Sequence, residues 1–138
     1  MENKMNVTKL AIGTVVGFIV AFGFGGIWHM ALFSNYYYHN PEITIQRAEP
    51  MLGYIAIGEL LRSFVLAWLF LQLFPQGATV GKGIMLGIMA GLLAAGLWAF
   101  ANYGVFMLPM NWVVMDTFFV LIQTALNGLV LALLNRKK

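Results

Sequence analysis

Four side chains that carry charge, or can take it up, stand inside otherwise apolar stretches of this sequence: His29, Glu59, Arg62 and Asp116. Such groups are costly within a membrane span, and they mark either polar contacts between helices or a path for a proton or solute. Glu59 and Arg62 are three residues apart, so on a helix they share a face and can pair. Asp116 needs a partner of its own. Arg62 can share its guanidinium fork between the two carboxylates, or His29 can donate to Asp116 and settle its own tautomer by that bond. Asn102, Gln123 and Asn127 are uncharged companions. Asp116, Gln123 and Asn127 recur on one face of the last apolar run, with Thr124 beside them.

This set supports several chemistries. The first is a polar core that holds helices in register. The second is a proton- or solute-binding centre of a small carrier. Catalysis by Glu59 and Asp116 as acid and base lacks an accompanying nucleophile motif, so the reading leans away from an enzyme. A metal or haem site is weakly supported. His29 and His39 are the two histidines, they lie on different elements, and no H-x-x-H or H-E-x-x-H spacing occurs. Cysteine is absent, which removes disulfides, thiolate ligands and thiol redox chemistry. No particular cofactor is implied.

The elements that must position these groups follow from composition. Of 138 residues, 61% are hydrophobic and 9% charged, and the mean hydropathy is +0.82. A soluble domain carries about 25% charged residues. Four apolar runs, at 10–33, 51–74, 83–107 and 111–134, are each long enough to cross a hydrocarbon core of about 30 Å. The first is read as a retained span rather than a cleaved signal. A polar loop from Asn35 to Pro50, the turn Phe74-Pro75-Gln76-Gly77, and Leu108-Pro109 before the last run separate them. Short links make neighbours antiparallel. The expectation is a single all-α domain over 1–138, a polytopic membrane protein built as an antiparallel four-transmembrane-helix bundle.

Lysine and arginine orient it. Lys4, Lys9, Lys82, Arg136, Lys137 and Lys138 fall on one side, and Arg47 falls on the other. The positive-inside rule then places both termini in the cytoplasm. These basic residues sit at helix ends rather than in a patch, so the net charge of +3 points to topology and not to nucleic acid. Trp28, Tyr36, Tyr37, Tyr38, Tyr54, Tyr103 and Trp112 gather near the outer interface, as an anchoring belt would. With a rise of about 1.5 Å per residue, His29, Asn102, Asp116, Glu59 and Arg62 all lie about 6–16 Å below the outer helix ends. Their common depth predicts one polar cluster in the outer half of the bilayer.

Two small-residue stripes predict close helix contacts. Gly13, Gly17, Ala21, Gly25 and His29 recur every four residues in the first run, and Gly83, Gly87 and Gly91 do so in the third. A face without side chains lets backbones approach and gain dispersion. Packing inside the bundle is one use of these faces, and homo-oligomerisation is the other.

The block Gly25-x-x-Trp28-His29-x-x-Leu32-Phe33 resembles the end of the first helix in a family of small four-helix bacterial membrane proteins of unknown function, with His29 where that family reads tyrosine. Pro109-x-x-Trp112-x-x-x-Asp116 is similar to the opening of that family's last helix. The resemblance implies the four-span layout and a bacterial cytoplasmic (inner) membrane, and no activity. The expectation for function is a non-enzymatic membrane component that associates with the bilayer, with itself or with a larger membrane complex. The alternative is a small transporter or ligand-binding protein using His29, Glu59, Arg62 and Asp116.

Overall fold

The structure is a computed structural model and describes residues 6–39, 41 and 50–136. Asn40, the loop charges Glu42, Arg47 and Glu49, and Lys4, Lys137 and Lys138 lie outside the described residues. Helix α1 (Val7–Gly26) runs directly into a π-helical segment, Ile27–Leu32, and a short α2 (Ser34–Tyr38) follows. Next come α3 (Leu52–Leu73) and α4 (Val80–Ala95). A second π-helical segment, Gly96–Phe100, joins α4 to α5 (Ala101–Val105), and α6 (Met110–Leu134) completes the chain. Among the described residues there is no strand beyond an isolated bridge between Ala78 and Arg136. Four helices are long and apolar enough to cross a membrane: Val7–Leu32, Leu52–Leu73, Val80–Val105 and Met110–Leu134, with mean hydropathies of 1.7 to 2.2.

Local chemistry sets the ends. Asn6 accepts from the Lys9 N–H at 3.0 Å, and Thr79 caps α4 by accepting from the Lys82 N–H. These caps satisfy orphan amides of the first turn and start both helices three residues before the apolar runs at 10 and 83. Between α3 and α4, the Gly77 N–H donates to the Phe74 carbonyl at 2.9 Å. Gly77 has φ 87°, a left-handed conformation that glycine adopts without steric cost.

The packing is not a symmetric square. α6 is the most buried of the four long helices and carries both glycine stripes on its flanks. A Cβ added to Gly13 would meet Leu131 and Ala67, and one added to Gly17 would meet Asn127. Across the other flank Gly83 faces Gly128 and Ala132, Gly87 faces Thr124 and Ala125, and Gly91 faces Leu121 and Thr124. As numbers rise along α1 or α4 they fall along α6, so α6 is antiparallel to both. α1 also packs on α3, and Leu10, Leu66, Ala67, Phe70, Leu131 and Ala132 close the core near the end that holds Asn6 and Arg136. Both stripes are thus spent within one chain, where backbone-to-backbone approach contributes dispersion and weak Cα–H···O contacts. Gly128, on α6, completes the second stripe from the other side. A Cβ there would lie 2.9 Å from the Gly83 carbonyl carbon.

Candidate functional site

At the end of the bundle away from Asn6 and Arg136, α1, α3 and α6 line a cavity of 330 Å³. Small residues on α1 open it: Ala21, Gly25 and Gly26 form one wall. His29, on the π-helical segment, and Tyr38, on α2, stand near its top. Ile55 and Glu59 come from α3, and Phe119 and Gln123 from α6.

The π-helical segment orients the His29 side of this site. Phe33 N–H reaches back five residues to the Trp28 carbonyl at 2.9 Å, and such wide turns are frequent at functional sites. His29 Nδ1 lies 3.0 Å from the Gly25 carbonyl oxygen. A carbonyl only accepts, so Nδ1 carries the proton and donates. The imidazole also packs at a tilt on the Tyr37 ring, 4.4 Å between centroids, and meets Phe119 edge-on at 4.4 Å. Trp28 Nε1–H donates to the Tyr37 hydroxyl at 3.2 Å, and its indole packs on Phe24, Phe33 and Phe119. Tyr37 is buried. That burial pushes its hydroxyl above the ordinary tyrosine range, with the Trp28 bond acting in the opposite direction. Trp28 and Tyr37, expected in an anchoring belt, are therefore turned inward to support the histidine. Tyr54 stays outside, 71% exposed.

On α3, Arg62 Nη2 pairs with Glu59 Oε2, as their spacing predicts. The fork expected to bridge two carboxylates does not form. Asp116 is only 7% exposed and has no hydrogen bond or ion pair among the described residues, although the Arg62 charge acts on it. The donation expected from His29 to a carboxylate is also replaced, because the carbonyl four residues back is nearer. Asn102, on α5, makes no side-chain hydrogen bond to the other four. The structure thus brings His29 and Glu59 to one cavity, with Arg62 behind Glu59. It leaves Asp116 close but unpaired and Asn102 separate.

Residues that carried less weight in the sequence hold the site together. Gln123 Nε2 donates to the Ala21 carbonyl at 2.7 Å, and Asn127 Nδ2 donates to Ser63 Oγ at 3.1 Å. These two bonds fasten α6 to α1 and α3. Thr124 instead bonds back to the Val120 carbonyl at 2.7 Å and faces α4, so it leaves the polar face formed by Gln123 and Asn127. The four-residue spacing of Gln123 and Asn127 is visible in the sequence, whereas Ser63 has no distinguishing signal. Gln123 Oε1 and Asn127 Oδ1 are buried and without a hydrogen-bond partner. Among the described residues no three His, Asp or Glu side chains converge as metal ligands would. No family model matches this chain, and no curated protein or solved structure matches it either.

Proposed function

We propose that this chain is an integral membrane protein that crosses the bilayer four times with both termini in the cytoplasm, and that it holds a small, largely apolar molecule in the cavity between α1, α3 and α6. Four apolar helices and the one-sided placement of basic residues support the topology. One observation carries the binding reading. The space between α1, α3 and α6 is walled mainly by apolar and aromatic side chains, with His29, Tyr38, Glu59 and Gln123 as the polar residues of its lining. A volume of 330 Å³ falls within the range of about 300–1,000 Å³ usual for small-molecule sites.

The bundle can also be read as a purely accessory component of a larger complex or an oligomer. The Gln123–Ala21 and Asn127–Ser63 contacts suit that role equally well. Both glycine stripes face α6 within the same chain, so they offer no free surface to a second copy, and the cavity favours the binding role.

The test uses the chain reconstituted in nanodiscs. Gly26 lines the cavity, and a Cβ there meets nothing within 4 Å. Gly26→Phe should therefore fill the space without displacing a helix. A panel of small amphiphiles is expected to raise the melting temperature of the wild type and to leave Gly26→Phe unmoved. Equal shifts in both proteins would assign the effect to the bilayer and remove the cavity from the reading.

A further inference from the structure

The packing of α3 is uneven along its length. Its buried residues are Ser63, Leu66, Ala67 and Phe70, and no residue from Leu52 to Arg62 is buried. The first turns of α3, which form one wall of the cavity, are therefore only loosely covered by the rest of the bundle. Met30 on one rim, and Leu52 and Ile55 on the other, line the cavity and are half-exposed. All three belong to helices long and apolar enough to cross a membrane. The gap between these rims thus lies on the apolar flank of the spans.

The cavity follows the axis of the first span. Ala21, Phe22, Gly25, Gly26, His29 and Met30 line it in two rows at four-residue spacing. At a rise of about 1.5 Å per residue they extend over about 13 Å. Half of a hydrocarbon core of about 30 Å is about 15 Å, so the cavity runs for nearly the depth of one leaflet. Gln123, which donates to the Ala21 carbonyl at 2.7 Å, marks its inner end. Tyr38 stands at the other end, where a tyrosine ring meets lipid headgroups.

Three fillings of this space differ in cost. Water needs several polar partners, and the polar side chains of the lining are turned to the chain itself: His29 donates to the Gly25 carbonyl, Gln123 to that of Ala21, and Glu59 holds Arg62. An empty space forfeits the dispersion contacts of its walls. A hydrocarbon chain restores those contacts, asks for no polar partner, and is already present beside the α1–α3 flank of a bilayer-spanning protein. Its transfer from the bilayer costs little, because lipid tails are as apolar as the side chains that would receive it.

We propose that the cavity holds one acyl chain of a membrane lipid, which enters sideways between α1 and α3 and lies along the first span with its tip at the Gln123–Ala21 contact. This assignment rests on the cavity-binding reading above and specifies its guest as the hydrocarbon tail of a surrounding lipid.

The full chain is placed in phosphatidylcholine nanodiscs doped with the same lipid carrying a diazirine in mid-chain, irradiated, and mapped by peptide mass spectrometry. Leu93 on α4, 67% exposed, reports lipid around the bundle. Phe119 lines the cavity and is 7% exposed, so a chain must enter to label it. In the wild type Phe119 is expected to carry at least a third of the Leu93 label. Gly26→Phe, which fills the cavity, and Ile55→Trp, which narrows its mouth, should each lower the Phe119 label at least fivefold and leave Leu93 unchanged. Where one variant fails to insert, the other decides. A wild-type label on Phe119 below a third of that on Leu93, or one that persists in the variants, overturns the assignment. If Phe119 stays unlabelled while small amphiphiles still stabilise the wild type and not Gly26→Phe, the lipid assignment fails and the cavity-binding reading stands. If neither effect occurs, both fall.

Discussion

Gly87→Ala adds one methyl group at the tightest crossing in the molecule. The new Cβ would run first into the Thr124 carbonyl oxygen and would also lie 2.8 Å from Ala125 Cα and 2.8 Å from the Thr124 carbonyl carbon, whereas ordinary contact begins at 3.4 Å, so the backbones must part by more than about 0.6 Å. No flexible side chain can absorb this shift, because every obstacle is α6 backbone. A radial gap of about 0.5–1 Å forfeits a quarter to a half of each dispersion well, and the loss extends to Gly83 and Gly91 on the same face. Overpacking of this kind costs about 1–3 kcal/mol. Replacing a helical glycine by alanine returns about 0.5–1 kcal/mol through backbone entropy, which leaves a net loss of roughly 0–2.5 kcal/mol, toward the upper end because the obstacles are backbone. Gly58→Ala, on α3, is the matched control, since a Cβ there meets nothing within 4 Å and only the entropic gain applies. Thermal unfolding of both variants in one detergent should move in opposite directions. If Gly87→Ala melts at or above wild type, α4 and α6 do not cross backbone to backbone at Gly87.

Other perturbations test the remaining contacts. Arg62→Ala strands Glu59 and should cost about 3–5 kcal/mol, whereas Arg62→Met combined with Glu59→Gln should cost far less; equal losses in denaturant titrations would mean that the pair is not buried together. Asn127→Ala removes the bond to Ser63 and should cost about 0.6–1.7 kcal/mol, the range of interhelical hydrogen bonds in membranes; a silent variant would show that bond to be weak. His29→Phe keeps the stacking on Tyr37 and Phe119 and should be milder than His29→Leu, since aromatic pairs contribute about 0.5–1.5 kcal/mol beyond their area. Tyr37 has its hydroxyl pushed up by burial, so the unfolded chain ionises first and stability should decline as pH rises past about 10; an alkaline titration in which all five tyrosines ionise together, without unfolding, would contradict that burial. Because cysteine is absent, single cysteines at Asn40 and Gln76 can be labelled without background, and they should react from opposite sides of the membrane.

Distance along an axis is readable from a sequence, and direction around that axis is less so. The rise per residue put His29, Glu59, Asn102 and Asp116 at similar depths, and the i,i+3 spacing was enough to pair Glu59 with Arg62. Direction is lost wherever a helix changes its winding. The two π-helical segments, Ile27–Leu32 and Gly96–Phe100, leave no mark in apolar periodicity, yet they turn everything beyond them, His29 and Asn102 included. The Gly25 carbonyl captured the histidine for a further reason: a local backbone acceptor competes with distant partners at little entropic cost. The glycine stripes announced close contacts, but not that a single helix would serve both, because that depends on the arrangement of all four. Ser63 was hidden because one hydroxyl in a span carries no pattern until Asn127 is seen opposite it.

The tight pairings, α1 with α3 and α4 with α6, each join consecutive spans, and the Phe74–Gly77 turn is the hinge between two helical hairpins. An emerging chain can close the first hairpin early, but Ser63 and the Ala21 carbonyl must then wait for Asn127 and Gln123, which arrive with the last helix. During that interval the half-made protein presents an unsatisfied polar strip and a bare glycine groove. The same division makes the molecule a candidate for fragment complementation. Two genes split at the turn, one encoding each hairpin, should yield halves that find each other in the bilayer through that strip, and neither half should persist when made alone.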